Sequence, residues 1–567
     1  MTIVAFTIVI VPFAVILGRL LFASGRHLYL PDDLALVDLH TRRALVWKQQ
    51  LGAFDRFGWN HPGPAYFYLL SLAYRLLGSG ARAMFFGATT INALAAVACV
   101  AVVRRRTTPA RALWAAIVVC LLAVLLATVG PGSITYSEGA LGALVSPWNP
   151  LIVILPLVLF VLLCAAAMDR SPLSLVGAAL VGSFVIQTNI SALPLVAALL
   201  AVSAIVWAVR AVRHRARTTV ELPVGSTPTA DSTDPSPGAG SPPFTRREWA
   251  WVAAGVLVFG LMWLPPFIQQ LTNHPGNATL IYRFFTGSHQ GQTLQESLWS
   301  LVAIGGTVVE GPSEVMSSIL GNAPHHLGVS LLASGALVVI GVAVVAVAVA
   351  QRNRFATGLG ALCLAGYAVM AVAVTGVVGF IFGYLVVWAV AVPFAALIGV
   401  GMVRLPSWAP GGGGRPITSA PWFRLLLCAA GLAVCVLLIV RVVMIPSLTT
   451  VSDTKVEGLV SLVVPALQPN QTVFVGDNGA GNGSTRFFDL EDFIGLVNWL
   501  DQSGYHPKVN AFWKTQFGPG TISSGREVRS VELSTWNPKS PGTPGYRGRV
   551  GDMAVVVTDA NGRPAGG

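Results

Sequence analysis

Uninterrupted apolar stretches of about 20 residues, the length that crosses a bilayer as a helix, recur from one end of this chain almost to the other. The first, MTIVAFTIVIVPFAVILGRLLF, opens the sequence, and comparable runs occupy 82–103, 111–129, 149–168, 172–188, 191–208, 249–270, 328–350, 355–375, 378–403 and 422–444. This predicts a polytopic α-helical membrane protein with about 11 transmembrane helices. Composition agrees: of 567 residues, 54% are hydrophobic and 11% charged, too few charges to cover a water-soluble surface of that size. The opening segment has no basic leader and no obvious small-residue cleavage site, so it reads as a retained helix.

The formal net charge of +12 is concentrated in short clusters between apolar segments: Arg104–Arg106 with Arg111, Arg170, 210–217, Arg246–Arg247, Arg352 with Arg354, and Arg404 with Arg415 and Arg424. That is the pattern of topology signals, and it argues against a nucleic-acid partner. The clusters fall in alternate loops, which the positive-inside rule makes cytoplasmic. A first loop (23–81), a second loop (271–327) and everything after about 445 are then outside, although Arg42, Arg43 and Lys48 make the first loop locally basic. All six cysteines (Cys99, Cys120, Cys164, Cys363, Cys428 and Cys435) lie in apolar segments, so no disulfide framework is expected, and no zinc-ligand spacing occurs.

The chain therefore divides into a membrane module, 1–445, and a C-terminal region, 446–567. Between two spans of the module, 218–245 is rich in Pro, Gly, Ser and Thr and reads as a disordered cytoplasmic linker. The C-terminal region alternates short apolar runs (472–476, 508–512, 527–533, 553–558) with turns. It has one amphipathic helix, carrying Leu490, Phe493, Ile494, Val497 and Leu500 on one face with Asp489 as N-cap, which describes a small extracytoplasmic α/β domain. The glycine-rich run 476–483 follows a strand but fits no nucleotide-binding or EF-hand spacing; it reads as a turn or a glycan contact.

Chemistry is sought in the first loop. Asp32 and Asp33 stand just beyond the first span. One of two adjacent acids there can act as a general base, with its pKa raised by apolar surroundings and by its neighbour. The alternative is plain helix capping, since Pro31-Asp32-Asp33 opens a helix over 33–50 and acids favour helix N-termini. The charges that follow, Asp38, His40, Arg42 and Arg43, read as a solvated face or as functional groups.

This loop resembles the first outer loop of the glycosyltransferase C superfamily, on the acid pair, the amphipathic helix and the turn His61-Pro62-Gly63-Pro64 running into Tyr66-Phe67-Tyr68-Leu69-Leu70. The nearest likeness is to the polyprenyl-phosphate-sugar-dependent mannosyl- and arabinosyltransferases of bacterial envelopes, although the turn is His-Pro-Gly-Pro where the family often has Pro-Pro. The resemblance implies an inverting transfer of a hexosyl or pentosyl group, at the bacterial plasma membrane, from a polyprenyl-phosphate sugar to a hydroxyl of an envelope glycan or glycolipid. It implies no metal and no cofactor, with Asp33, or else Asp32, as the base. A leaving lipid phosphate calls for cations; His274 and Arg283 in the second loop, with Lys48 and Arg82, are candidates, each also readable as a headgroup contact. Gln270 adds an amide beside them, and Trp59 and Tyr66 could stack on sugar or lipid, or simply belong to the aromatic belt. His61 is a partner for the acid or a structural turn residue.

Two other functions compete. A lipid or polysaccharide transporter would need polar residues within its spans, which are nearly free of charge here, and a mere anchor for the C-terminal domain would need only one helix.

Overall fold

The computed structural model describes residues 1–22, 28–128, 142–169, 171–220, 246–312, 315, 319–404, 420–444, 454–477 and 489–564. The expected linker 218–245 falls outside these residues except for its first three, as does most of the glycine-rich run 476–483. The chain opens with α1 (Thr2–Phe22), followed by two first-loop helices, α2 (Asp32–Leu45) and α3 (Ala65–Leu77), and then α4 (Ala81–Arg106) and α5 (Pro109–Thr128).

Among the described residues nine helices are long and apolar enough to cross a membrane: α1, α4, α5, Asn149–Met168, Ile190–Arg210, Trp249–Thr272, Leu327–Ala350, Arg354–Thr375 and Pro421–Met444. The protein is thus a polytopic α-helical membrane protein with a small C-terminal sheet domain. Two of the eleven expected spans are shorter. Pro172–Thr188 is held to 17 residues by an N-cap, Ser171 Oγ accepting from Ser174 N–H, and by a break at Asn189. The 378–403 segment is broken near its start, where Gly379 takes φ +74° and a short strand, β2 (Ile381–Phe382), pairs antiparallel with β1 (Ile319–Leu320) of the second loop. The apolar helix resumes only at Val387–Val400. Asn149–Met168 is the most enclosed span, whereas Trp249–Thr272 shows nearly all its surface to the surroundings, as expected of an apolar helix facing lipid.

The C-terminal region forms a five-stranded sheet in the order β4-β3-β5-β7-β6: β3 (Thr472–Asp477), β4 (His506–Lys508), β5 (Arg529–Thr535), β6 (Tyr546–Val550) and β7 (Met553–Asp559). β3 runs parallel to β4 and β5, and β7 antiparallel to β5 and β6. The expected strand at 508–512 is displaced to His506–Lys508, because Asn510 caps a 3-10 turn over Ala511–Trp513 through its side chain. β6 has no apolar alternation to announce it: its sequence is YRGRV. The predicted amphipathic helix is present as Asp489–Gln502, burying Phe493, Leu496, Val497 and Leu500.

The first loop corrects one expectation. α2 ends at Leu45, five residues before the predicted limit, and it is not a solvated charged helix, because Leu34 through Thr41 are all buried, Asp38 and His40 included. It lies between α3 and the helix Asp489–Gln502, so both its apolar and its charged faces are covered by protein.

Candidate active site

The site is built at the start of α2. Pro31 leads into the helix in an extended conformation, and Asp32 takes φ +42°, a region that non-glycine residues rarely adopt and that often marks a functional position. The kink leaves Asp33 half-buried, with Oδ2 accepting a 2.7 Å hydrogen bond from Nε1 of Trp148. Burial raises the Asp33 pKa above the ordinary carboxylate value, and the indole hydrogen bond opposes that rise by stabilising the anion.

A tight turn faces it. Gly52 N–H donates to His61 O (3.0 Å), His61 N–H to Ala53 O (2.7 Å) and Asp55 N–H to Trp59 O (2.7 Å), closing a small hairpin with Gly58 at φ +84°. Its tip holds Asp55 and Arg56. The Arg56 guanidinium lies over the rings of Phe57 (4.9 Å) and Phe382 (5.3 Å) and donates to Val378 O (3.1 Å). Cation–π contact of this kind holds a guanidinium in place while leaving its other N–H groups for an anion. Phe382 stacks on Tyr384 (5.7 Å), and Tyr384 packs against Trp148 (5.3 Å). An arc of three aromatic rings thus runs from the cation to the indole that holds Asp33.

The groups sense one another electrically. Asp55 is pushed up to about 6, chiefly by burial and further by Asp33, against the pull of Phe57 N–H and Arg56. The Tyr384 hydroxyl is raised by burial, lowered by Arg56 and raised again by Asp33, Asp55 and Asp32. A carboxylate with a raised pKa is suited to take up a proton near neutral pH, and a fixed guanidinium is suited to bind phosphate. Among the described residues no group of three or more His, Cys, Asp or Glu could hold a metal ion.

No protein-family model and no curated protein matches this chain. Among solved structures, ArnT from Cupriavidus metallidurans bound to undecaprenyl phosphate is similar over 97% of both chains, at 13% identity and a TM-score of 0.54. The chain has the glycosyltransferase C fold. The apo state of the same ArnT (12% identity, 98% of both chains, TM-score 0.41) is also similar. So is the Archaeoglobus fulgidus oligosaccharyltransferase complex with zinc and sulfate (12% identity, 93% of this chain and 68% of that one, TM-score 0.38).

Within this glycosyltransferase C fold the residues expected at the site separate into three groups. Asp33 and Asp32 are at its centre. Tyr66 supports it from behind: fully enclosed against Phe67 and Phe184, its hydroxyl donates to Pro147 O, next to Trp148. His61 serves the turn, its Nδ1 accepting from Ile190 N–H (3.2 Å), and burial lowers its pKa to about 4, so it is neutral and supplies no cation. Trp59 packs against His61, Phe284 and Phe285, with its Nε1 buried and unpartnered among the described residues.

The remaining five have other surroundings. Lys48 is exposed beyond the far end of α2, roughly 20 Å along the helix axis from Asp33. His274 and Arg283 are exposed in the second loop. Gln270 folds back on that loop, accepting from Ala278 N–H (2.9 Å) and donating to Thr279 Oγ1 (2.7 Å). Arg82 is exposed at the start of α4, on the rim of a cavity of about 500 Å³ lined by Leu20, Leu30, Leu77 and Gln502, which none of the acid-site residues borders.

Sequence reasoning missed Asp55, Arg56, Trp148 and Tyr384 as site members. Asp55-Arg56 carried a local signal, an adjacent acid and cation just before the turn. Trp148 and Tyr384 carried none, because only the fold brings 148 and 384 to residue 33.

Proposed function

We propose that this protein is an inverting glycosyltransferase that moves a sugar from a polyprenyl-phosphate donor to an acceptor hydroxyl at the outer face of a bacterial plasma membrane. The acceptor hydroxyl, on an envelope glycan or glycolipid, attacks the anomeric carbon from the face opposite the phosphate and gives its proton to Asp33. The bond from that carbon to the phosphate oxygen breaks, and the leaving polyprenyl phosphate keeps the electron pair. Arg56, fixed over Phe57 and Phe382, receives the developing phosphate charge. Burial keeps the Asp33 proton affinity high. The step draws on side chains alone, without a cofactor.

The observation that carries this reading is the placement of Asp33. A partly buried carboxylate with raised pKa is held by an indole, and that indole is linked through the rings of Tyr384 and Phe382 to a guanidinium. The polyprenyl-phosphate donor is supported by the lipid phosphate bound in the structurally similar ArnT.

The test is to incubate the purified protein in nanodiscs with radiolabelled polyprenyl-phosphate mannose, arabinose and glucose and acceptor-containing envelope extract. At least one donor should turn over. Asp33→Asn should abolish transfer, and Arg56→Ala should lower it by about 100-fold or more, the scale of one lost transition-state charge contact. Full transfer by Asp33→Asn would remove Asp33 from the mechanism.

A further inference from the structure

α2 begins at the acid site and ends in the grip of the C-terminal domain. Both oxygens of the wholly enclosed Asp38 are committed: Oδ1 accepts from Tyr74 (2.6 Å), and Oδ2 from Arg42 Nε (3.1 Å) and Asn498 Nδ2 (3.2 Å). Arg42 reaches on to Asn498 Oδ1 (2.6 Å) and to the Asp501 carboxylate. Two residues before Arg42, His40 is kept neutral, its pKa lowered to about 3 chiefly by burial and by Arg43. Its Nδ1 accepts from Gln49 Nε2 (2.8 Å), so its Nε2–H donates to Gln516 O (3.0 Å) of the C-terminal domain. The other end is held through backbone. Gly495 of the helix Asp489–Gln502 approaches the Leu30 carbonyl so closely that a Cβ there would lie 2.7 Å from it, two residues before the kink at Asp32.

We infer that the C-terminal domain is a working part of the active site: its helix Asp489–Gln502 sets the placement of α2, and hence of Asp33, with Arg42, Asp501 and Gly495 as positioning residues. The inference rests on the reading of Asp33 as the base. Burial alone would make this interface adhesive. What points to positioning is that the helix touches α2 at both ends, by a charge network at its C-terminal half and by backbone contact at its entry. An α-helix gripped at two points along its length has little freedom to slide or turn, and catalytic geometry tolerates little displacement.

The experiment uses the full chain in nanodiscs, with the donor that turns over and with undecaprenyl phosphate as a binding probe. Asp501→Asn removes a half-exposed carboxylate and preserves volume; Gly495→Ala presses on the Leu30 carbonyl; Arg42→Lys keeps the charge without the fork. In Asp501→Asn and Gly495→Ala, kcat should fall about tenfold with donor KM within about twofold, and amide exchange over residues 32–45 should accelerate by about tenfold, the equivalent of one charge-assisted hydrogen bond. Arg42→Lys should fall between these variants and the unaltered protein. Undecaprenyl phosphate binding should be unchanged. The acid limb of the kcat profile should move to lower pH, because a better-hydrated Asp33 ionises more readily beside Asp32, Asp55, Arg56, Tyr384 and Trp148. Variants that lose thermal stability while keeping kcat and the acid limb would make the interface adhesive only and overturn the inference. Asp33→Asn runs in parallel: if it is inactive while the interface variants behave normally, the inference falls and Asp33 stands; if it is active, the catalytic reading itself falls.

Discussion

Replacing Trp148 by Phe isolates the bond on which the proposed chemistry turns. Phe keeps a ring for Tyr384, 5.3 Å away, and deletes the N–H that donates 2.7 Å to Asp33 Oδ2. The bond stabilises the carboxylate over the acid, so its loss adds to the upward shift that burial already imposes. A hydrogen bond to a charged group contributes about 1.5–3 kcal/mol, and about 1.4 kcal/mol corresponds to one pKa unit, so the Asp33 pKa should rise by roughly one to two units. A general base works only when ionised. The acid limb of the kcat profile should therefore move to higher pH by about one unit or more, with activity at the original limb midpoint falling by about tenfold. The assay is donor turnover between roughly pH 4.5 and 8, with saturating donor so that kcat and not kcat/KM is read. An acid limb that stays in place, or moves down, would refute the assignment of this bond and of Asp33 as the titrating base.

Other expectations follow from the same geometry. Asp55 has a folded pKa of about 6 against an ordinary value of 3.8, so the folded state holds its proton more tightly than the unfolded chain. Stability from this group is therefore present at low pH and lost as pH rises from about 4 to about 6; Asp55→Asn should gain Tm over the unaltered protein across that window and hold the gain above it. A Cβ at Gly52 would meet Gln187 O at 2.7 Å, His61 Cβ at 2.8 Å and Gly63 O at 3.0 Å, so Gly52→Ala should destabilise by about 1–3 kcal/mol, read by thermal unfolding in detergent. Tags test orientation: one placed after Gly567 should be cut by protease added outside intact cells, and one within 218–245 should not.

The sequence made the membrane architecture legible because hydrophobic length is a direct physical requirement of the bilayer, and nine of the expected spans are present as long helices. It could not reveal that 378–403 breaks at Gly379, since an apolar run reads alike whether continuous or interrupted. The acids were visible from their place after α1 and from the family-like turn. The cation was sought among His274, Arg283, Lys48 and Arg82, on proximity in the loops, whereas the proposed Arg56 is seated by Phe382 and Val378, more than three hundred residues away. α2 shows the same limit. Its charged face reads as solvated until Asn498, Asp501 and Gln516 arrive from the other end of the chain.

Besides the ring contacts of Phe57 and Trp59 with Phe284 and Phe285, a side chain of the second loop acts as a false strand against the turn that carries Arg56. Asn277 Oδ1 accepts from Asn60 N–H (2.8 Å) while its Nδ2 donates to Asn60 O (2.7 Å), reproducing with one carboxamide the two-bond rung that backbone normally makes with backbone. The same Asn60 reaches Thr515 O (3.4 Å) through its own amide. Three segments remote in sequence are thereby riveted at one residue, so a shift of any one of them strains its hydrogen bonds to the others.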